Sequence, residues 1–250
     1  MKIALSGAHG FLGSHLHTRL INLGHKVITV HHNEIDKFEG ADVIFNLMSF
    51  GNMANQTGDD EIFNANIIKL YQMLNKKYDS FINFSTSAIQ LKNKTLYSAT
   101  KAAGEKLVEY YGGISIRPAS VFGSGEAPFR FIPTVIRSLK NDSMLNLDPK
   151  PMHDWILAED FIDGVMAVYD HREQLKGRTI NISTGIETSN GDIVSMLEEI
   201  SGKKSFINLT GDLRSWDSEH WIVDNSVLKL LGWKQNHSLR EGLKLTYEQG

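Results

Sequence analysis

Short apolar runs alternate along the chain with stretches in which apolar residues return every three or four positions. Lys2-Leu5, Val27-Val30, Val43-Leu47, Phe81-Phe84 and Ile114-Ile116 are short and near-continuously apolar, which predicts strands buried on both faces. Between them, Phe11-Leu23, Ile62-Leu74 and Ala99-Tyr111 carry the helical period, and Gly24 stands where a helix-closing glycine belongs. Strand and helix in regular alternation predict an α/β chain with a Rossmann-like, doubly wound parallel sheet, because parallel neighbours need crossover helices on both faces. After about Gly125 the alternation loosens into helices at Ile132-Leu139, Asp160-Tyr169, Asp192-Ile200 and Ser226-Leu231, with a strand at Thr179-Ile182. The expected organisation is a dinucleotide-binding domain over residues 1–125 and a small C-terminal α/β substrate-binding region over 126–250, some of whose segments return to the sheet. Ser238 and Glu241 form a capping box for a last helix that reaches Tyr247.

Composition narrows the function classes. A chain of 250 residues that is 41% hydrophobic can bury a full core. Its formal charge of -3, with scattered lysines and arginines, offers no global attraction to nucleic acid or to anionic lipid. The apolar start at Met1-Leu5 breaks at Ser6-Gly7 without a cleavage-like site, and no window approaches the ~18 apolar residues of a spanning helix. No membrane and no nucleic-acid partner is expected. The chain has no cysteine, which rules out a disulfide and a thiolate nucleophile and makes the cytoplasm the expected location.

Directly after the first strand comes Gly7-Ala8-His9-Gly10-Phe11-Leu12-Gly13, with a helical pattern beginning inside it. Glycines let the backbone turn and approach a pyrophosphate, and the helix N-terminus offers free N–H groups to an anion. This setting marks a dinucleotide site; a P-loop is excluded because no Gly-Lys-Ser/Thr ending follows. At the end of the second strand, where an NAD-specific fold of this kind places an acid, the chain has His31, His32 and Asn33, so NAD and NADP are both open as cofactor.

The fourth strand runs into Ser85-Thr86-Ser87, and Tyr97-Ser98-Ala99-Thr100-Lys101 opens the next helix. Tyrosine and lysine at i and i+4 share a helix face. A phenol with an ordinary pKa of ~10 needs ~3 units, or ~4 kcal/mol, to work as an acid or base near neutrality, and a nearby ammonium has the right sign to supply it. Thr86 would orient the substrate oxygen. No metal site is expected, since no His-Glu-x-x-His occurs and His15 and His17, two apart, face different directions. Trp216, Trp221 and Trp233 are read as packing residues of the C-terminal part.

These residues resemble the extended short-chain dehydrogenase/reductases, the NAD-dependent epimerase/dehydratase family. The likeness includes the glycine loop, the Thr86, Tyr97 and Lys101 set, Asp42-Val43-Ile44-Phe45-Asn46-Leu47, Asn66 heading a helix, Arg117-Pro118-Ala119-Ser120-Val121-Phe122-Gly123, His153-Asp154-Trp155 with Asp160, and Leu231-Gly232-Trp233 followed by Leu239-Arg240-Glu241-Gly242-Leu243. The resemblance implies Tyr97 as acid/base with Lys101 and Thr86, and a nucleotide-linked sugar as substrate. It implies a cofactor held by Gly7, His9, Gly10, Phe11, Leu12, Gly13, His31, His32, Asn46, Leu47, Met48, Asn66, Ser85, Tyr97, Lys101, Arg117, Pro118, Ser120 and Val121. Substrate would meet Ser87, Ser120, Phe131 and His153. Relatives pair through the helix carrying Tyr-x-x-x-Lys and the one before it, so a homodimer is expected.

The chain departs from the family pattern in several places, among them a short gap from Thr86 to Tyr97. The link from the second strand to Ala41 is too short for the usual helix and strand, so one strand is expected to be missing. His153 stands where the family has an arginine that meets the substrate's phosphates. Ser87 and Ala88 replace the Asp-Glu of the sugar dehydratases. An NAD(P)-dependent sugar-nucleotide epimerase is therefore ranked first, narrowly ahead of an NADP(H)-dependent ketoreductase, with a non-catalytic dinucleotide-binding regulator as the third reading.

Overall fold

The computed structural model describes residues 1–53, 55–92, 94–210 and 220–250. In chain order the elements are β1 (Lys2–Ser6), α1 (Phe11–Asn22), β2 (Lys26–Val30), β3 (Ala41–Asn46), α2 (Asp59–Phe63), α3 (Lys69–Leu74), β4 (Tyr78–Phe84), α4 (Leu96–Tyr110), β5 (Ile114–Pro118), β6 (Ser120–Phe122), α5 (Phe131–Asn141), β7 (Met144–Leu147), β8 (Met152–Leu157), α6 (Ala158–Asp170), β9 (Thr179–Ile182), β10 (Glu187–Ser189), α7 (Asn190–Ser201), β11 (Phe206–Leu209), α8 (Ser226–Leu230) and α9 (Leu239–Gln249). The chain divides into two compact units, one of Met1–Pro118, Ile162–Ile182 and Ser226–Trp233, the other of Ala119–Phe161, Ser183–Asn225 and Lys234–Gly250. The first break follows Pro118, seven residues before the Gly125 expected from the pattern.

The first unit holds a six-stranded sheet in the order β2-β1-β3-β4-β5-β9, parallel throughout. Ile3, Leu5, Val43, Ile44, Phe45, Ile82, Ile116 and Ile182 are fully or almost fully buried, as strands covered on both faces must be. Strand order reverses between β1 and β3, the crevice at which open α/β sheets bind ligands beyond the strands' carboxyl ends. One 3-10 turn, Ile35–Phe38, separates β2 from β3, and among the described residues β2 is the sheet's edge with no further strand outside it.

Helix ends follow their local chemistry. α1 closes at Gly24, whose φ of 78° receives the αL position while the Gly24 and His25 N–H groups bond the Ile21 and Leu20 carbonyls. The helix expected over Ile62-Leu74 starts earlier, at Asp59, with Asp59, Asp60 and Glu61 in its first turn where they complement the helix dipole. It is interrupted by a π-helical turn at Asn64–Ile68, and the reason is Asn66, described below.

The second unit contains a sheet of β10-β8-β6, in which β6 runs parallel and β10 antiparallel to β8, and the parallel pair β7-β11. Ile132, Val135, Leu139, Leu145, Leu147, Ile193, Leu197 and Leu243 form its core. The α9 capping box between Ser238 and Glu241 is complete. Asp154, 1% exposed, accepts from the Thr184 N–H and hydroxyl and from the Gly185 N–H, while fully buried Asp160 accepts from the His237 N–H and ring Nδ1, so these two acids secure loops. No helix among the described residues is long and apolar enough to cross a membrane.

Candidate active site

β1 ends at Ser6 and the glycine loop follows. Gly7 has φ 70° and its carbonyl accepts from the Gly10 N–H at 3.0 Å, which folds the loop back on itself. A Cβ at Gly13 would lie 1.9 Å from the Gly7 oxygen, one at Gly10 3.3 Å from it, and one at Gly7 3.0 Å from the Leu47 oxygen. The loop thus forms a cradle that side chains would fill, pressed against the residue that follows β3. Gly10 is the N-cap of α1 and offers no side-chain cap, and no acid stands in the first turn. The N–H groups there suit an anionic ligand, and these residues fit a pyrophosphate.

Below the loop, polar side chains knit the strand ends. The Ser6 hydroxyl donates to Asn46 Oδ1 at 2.8 Å and accepts from the Leu47 and Met48 N–H groups, while Asn46 Nδ2 donates to Asn83 at 2.9 Å. Asn66, 3% exposed, accepts from the Phe50 N–H and donates to the Phe50 carbonyl and the Thr100 hydroxyl. Both asparagines use their side-chain amides to hold the walls of the crevice. The π turn places the Asn66 side chain between the loop at Phe50 and helix α4.

α4 begins with a capping box between Thr95 and Ser98, so Tyr97 sits in its first turn. Lys101, one turn on, is 4% exposed and its Nζ donates to the Phe84 carbonyl at the end of β4. Burial pulls its ammonium down to about 8, with Glu105 opposing that shift. Two residues after Phe84, the Thr86 hydroxyl accepts from the Ala88 N–H and retains its proton to donate. Ser85 is buried with an unpartnered Oγ, and Ser87 is buried. Lys101 thereby meets the strand end that leads into Ser85-Thr86-Ser87, and Tyr97 stands one turn before it on α4. The Arg117 guanidinium makes a bidentate pair with buried Glu105, at 2.8 and 2.6 Å.

The family model for the NAD dependent epimerase/dehydratase family matches residues 3–183. The chain belongs to that family. Curated relatives of this epimerase/dehydratase-family enzyme include an uncharacterized UDP-glucose epimerase, YtcB, of Bacillus subtilis, 26% identical over 97% of this chain and 96% of its own. CDP-abequose synthase of Salmonella typhimurium is 23% identical with the same shares covered. Among solved structures, MoeE5 with UDP-glucuronic acid and NAD aligns with a TM-score of 0.90 at 22% identity, over all of this chain and 98% of its own. The UDP-glucuronic acid 4-epimerase of Bacillus cereus with UDP-glucuronic acid and NAD aligns at 0.87 and 25%, with the same coverage. The enzyme therefore has the Rossmann-like family fold and works with a nicotinamide dinucleotide.

In the second unit of this family member, Ser120 Oγ lies 3.3 Å from His153 Nδ1. The His153 ring packs against Trp155 and Trp221, at centroid distances of 5.1 and 5.2 Å, and burial pushes its pKa down to about 4. His153 is thus a neutral ring near pH 7, unlike an arginine. Phe131, expected to meet substrate, is stacked on Trp155 at 5.9 Å beside the core. Val121 pairs with Ile156 in the β6-β8 ladder. Trp233 is buried as a packing residue, and Trp216 lies outside the described residues. Glu126 is a residue the sequence pattern does not single out: its Oε2 is buried without a partner, and burial raises the carboxyl pKa to about 8. Nothing in its neighbourhood of small and apolar residues marks it in advance.

Proposed function

We propose that this enzyme is an epimerase of a nucleotide-linked sugar, working by reversible hydride transfer at a sugar carbon. The observation that carries the reading is the buried Lys101 ammonium bonded to the end of β4, with Tyr97 on the same face of α4 and Thr86 two residues beyond the bonded carbonyl. The cofactor would be held by the glycine cradle, by the crevice walls at Leu47 and Met48 and by Lys101, and it supplies reversible hydride acceptance. Tyr97 moves the proton at the sugar hydroxyl, which balances the charge that hydride departure would leave on the substrate oxygen. Lys101 stabilises the phenolate form of Tyr97 by its charge. Thr86 donates to the same substrate oxygen and orients it. Ser120 and His153 are the substrate contacts proposed from the second unit.

The relatives' names support this reading, since a UDP-glucose epimerase and a UDP-glucuronic acid 4-epimerase both align over nearly their whole length. A dehydratase would need its own acid and base after Thr86, and Ser87 and Ala88 stand there. The test is proton NMR of UDP-sugars incubated with the enzyme and catalytic dinucleotide. Growth of the 4-epimer without net oxidation supports the reading, and its absence together with stoichiometric oxidation of a reduced dinucleotide when a 4-keto sugar nucleotide is supplied replaces it with a ketoreductase. That second reading is favoured by the lack of an acid in His31-His32-Asn33.

The enzyme is further proposed to act in the cytoplasm as a homodimer. Phe63, Ile68, Tyr71 and Tyr110, which is 84% exposed, supply apolar area on the helical segments Asp59–Leu74 and α4. Light scattering on the wild type and on Y71E/Y110E, expected to be dimer and monomer, tests the assembly.

A further inference from the structure

Lys101 carries a buried ammonium, and its surroundings act on that charge in opposite directions. Burial disfavours it, while the carboxylate of Glu105, one turn further along α4 and itself 6% exposed, favours it. Residues at i and i+4 share a helix face, so Glu105 stands where an ion pair with Lys101 is within reach. The structure shows a different pairing. Arg117 takes both carboxylate oxygens, Nε donating to Oε1 at 2.8 Å and a terminal nitrogen to Oε2 at 2.6 Å, and the Lys101 Nζ donates to the Phe84 carbonyl.

The sheet fixes this division. β5 lies beside β4 with Ile116 opposite Phe84, so Arg117, the next residue, reaches the same strand ends as the carbonyl that holds Lys101. The Arg117 side chain is mostly buried and that of Glu105 almost wholly so. A guanidinium fork with two charge-assisted hydrogen bonds sets both the place and the direction of the carboxylate, which a point charge such as an ammonium does not do. Among the described residues, the titratable and charged groups around Lys101 are Tyr97 and Glu105 from α4 and Arg117 from β5, behind Glu105.

We propose that Arg117 is a positioning residue: by holding both oxygens of Glu105 it keeps that carboxylate from pairing with Lys101, which leaves the lysine on the Phe84 carbonyl and sets the pH at which it loses its charge. The inference rests on the catalytic role proposed above for Lys101, and it concerns what governs the lysine. A carboxylate released onto the ammonium raises its proton affinity and draws Nζ from the end of β4. Removal of the carboxylate leaves burial unopposed and lowers that affinity.

The test follows Lys101 in the full chain by the Cε carbon NMR signal of isotope-labelled lysine, assigned by its loss in Lys101→Met, with kcat measured across pH on the same variants. The wild-type midpoint is expected near 8. Arg117→Gln is expected to raise the midpoint by at least about 1 pH unit and to carry the alkaline limb of kcat upward with it. E105Q/R117Q, which leaves no charge of the pair behind, is expected to lower both below the wild type. A pair that only fastens α4 to β5 would lower Tm in both variants and leave the Lys101 midpoint in place, which overturns the inference. A midpoint in Arg117→Gln at or below the wild-type value overturns it too. If Arg117→Gln does not fold, the double variant decides, and a midpoint at or above the wild type overturns the inference. Midpoints that move as expected while the kcat limb stays still support the control of Lys101 by Glu105 and Arg117 and refute instead the catalytic role given to the lysine.

Discussion

Gly13→Ala adds one methyl group where the structure has no room for it. The new Cβ would lie 1.9 Å from the Gly7 oxygen, 2.7 Å from the Gly7 carbonyl carbon and 3.0 Å from the Ala8 Cα, all backbone atoms that cannot rotate away. The loop or the first turn of α1 must retreat by about 1 Å or more, an overpacking that costs about 1–3 kcal/mol. In a chain of this size that lowers Tm by roughly 2–4 °C per kcal/mol. Gly24→Ala is the matched control. Gly24 has φ 78° and nothing within 4 Å of a Cβ, so alanine there costs the left-handed strain of about 1–2 kcal/mol and no displacement of the cradle. The two variants should lose similar stability by denaturant titration and differ in dinucleotide affinity by calorimetry. Gly13→Ala is expected to bind at least about tenfold more weakly, and Gly24→Ala like the wild type. Wild-type affinity in Gly13→Ala, or an equal loss in both variants, would refute the argument that the close approach of Gly13 to Gly7 shapes the phosphate site.

Three more outcomes follow from titrating groups. Burial lowers Lys101 to about 8, so the charge that supports Tyr97 is present below that pH and lost above it. A kcat profile should fall through about pH 8, and Lys101→Met should lose on the order of 100-fold together with that limb; a wild-type profile flat beyond it contradicts the assignment. His153 keeps a folded pKa of about 4 against an ordinary 6.5, so the unfolded chain takes up its proton first as pH falls. Stability is full above 6.5 and loses on the order of 3 kcal/mol on the way down to 4, a loss that His153→Asn should remove from urea unfolding curves. Glu126 has the opposite sign: its folded pKa is raised to about 8, so stability present below 4.5 is lost as pH rises through 8. Glu126→Gln should flatten that alkaline limb, and an unchanged limb would place its origin elsewhere.

The sheet and the glycine loop were legible because both are written in local sequence. Buried parallel strands require continuous apolar runs, and the approach of Gly13 to Gly7 can be met only by residues without a Cβ. Lys101 was legible by its spacing from Tyr97, although its burial against the Phe84 carbonyl was not. What escaped are the pairings across long sequence separations. Arg117 and Asn66 belong to segments that carry the family resemblance, and single positions in such segments read equally well as ligand contacts or as internal supports. Only the fold shows that Glu105 takes up the guanidinium and that Phe50 and Thr100 occupy the amide. The π turn at Asn64–Ile68 is hidden for a related reason, since a helical period cannot register one inserted residue whose purpose is to point an amide at a distant loop.

The interleaving of the two units governs how the protein can be made. The chain leaves and re-enters the first unit at Pro118, Phe161, Ile182, Asn225 and Trp233. During synthesis, the first five strands of the six-stranded sheet emerge well before β9, and until β9 arrives β5 ends the sheet with unsatisfied backbone groups, a template for wrong partners. The stretch from Ser226 to Trp233 comes later still, and it brings Trp233 over Gly164 of α6. A nascent chain released at residue 118 therefore presents an open sheet rather than an independent nucleotide-binding module. A stop codon after residue 225 would leave all six strands but remove Trp233 from its place over Gly164 of α6.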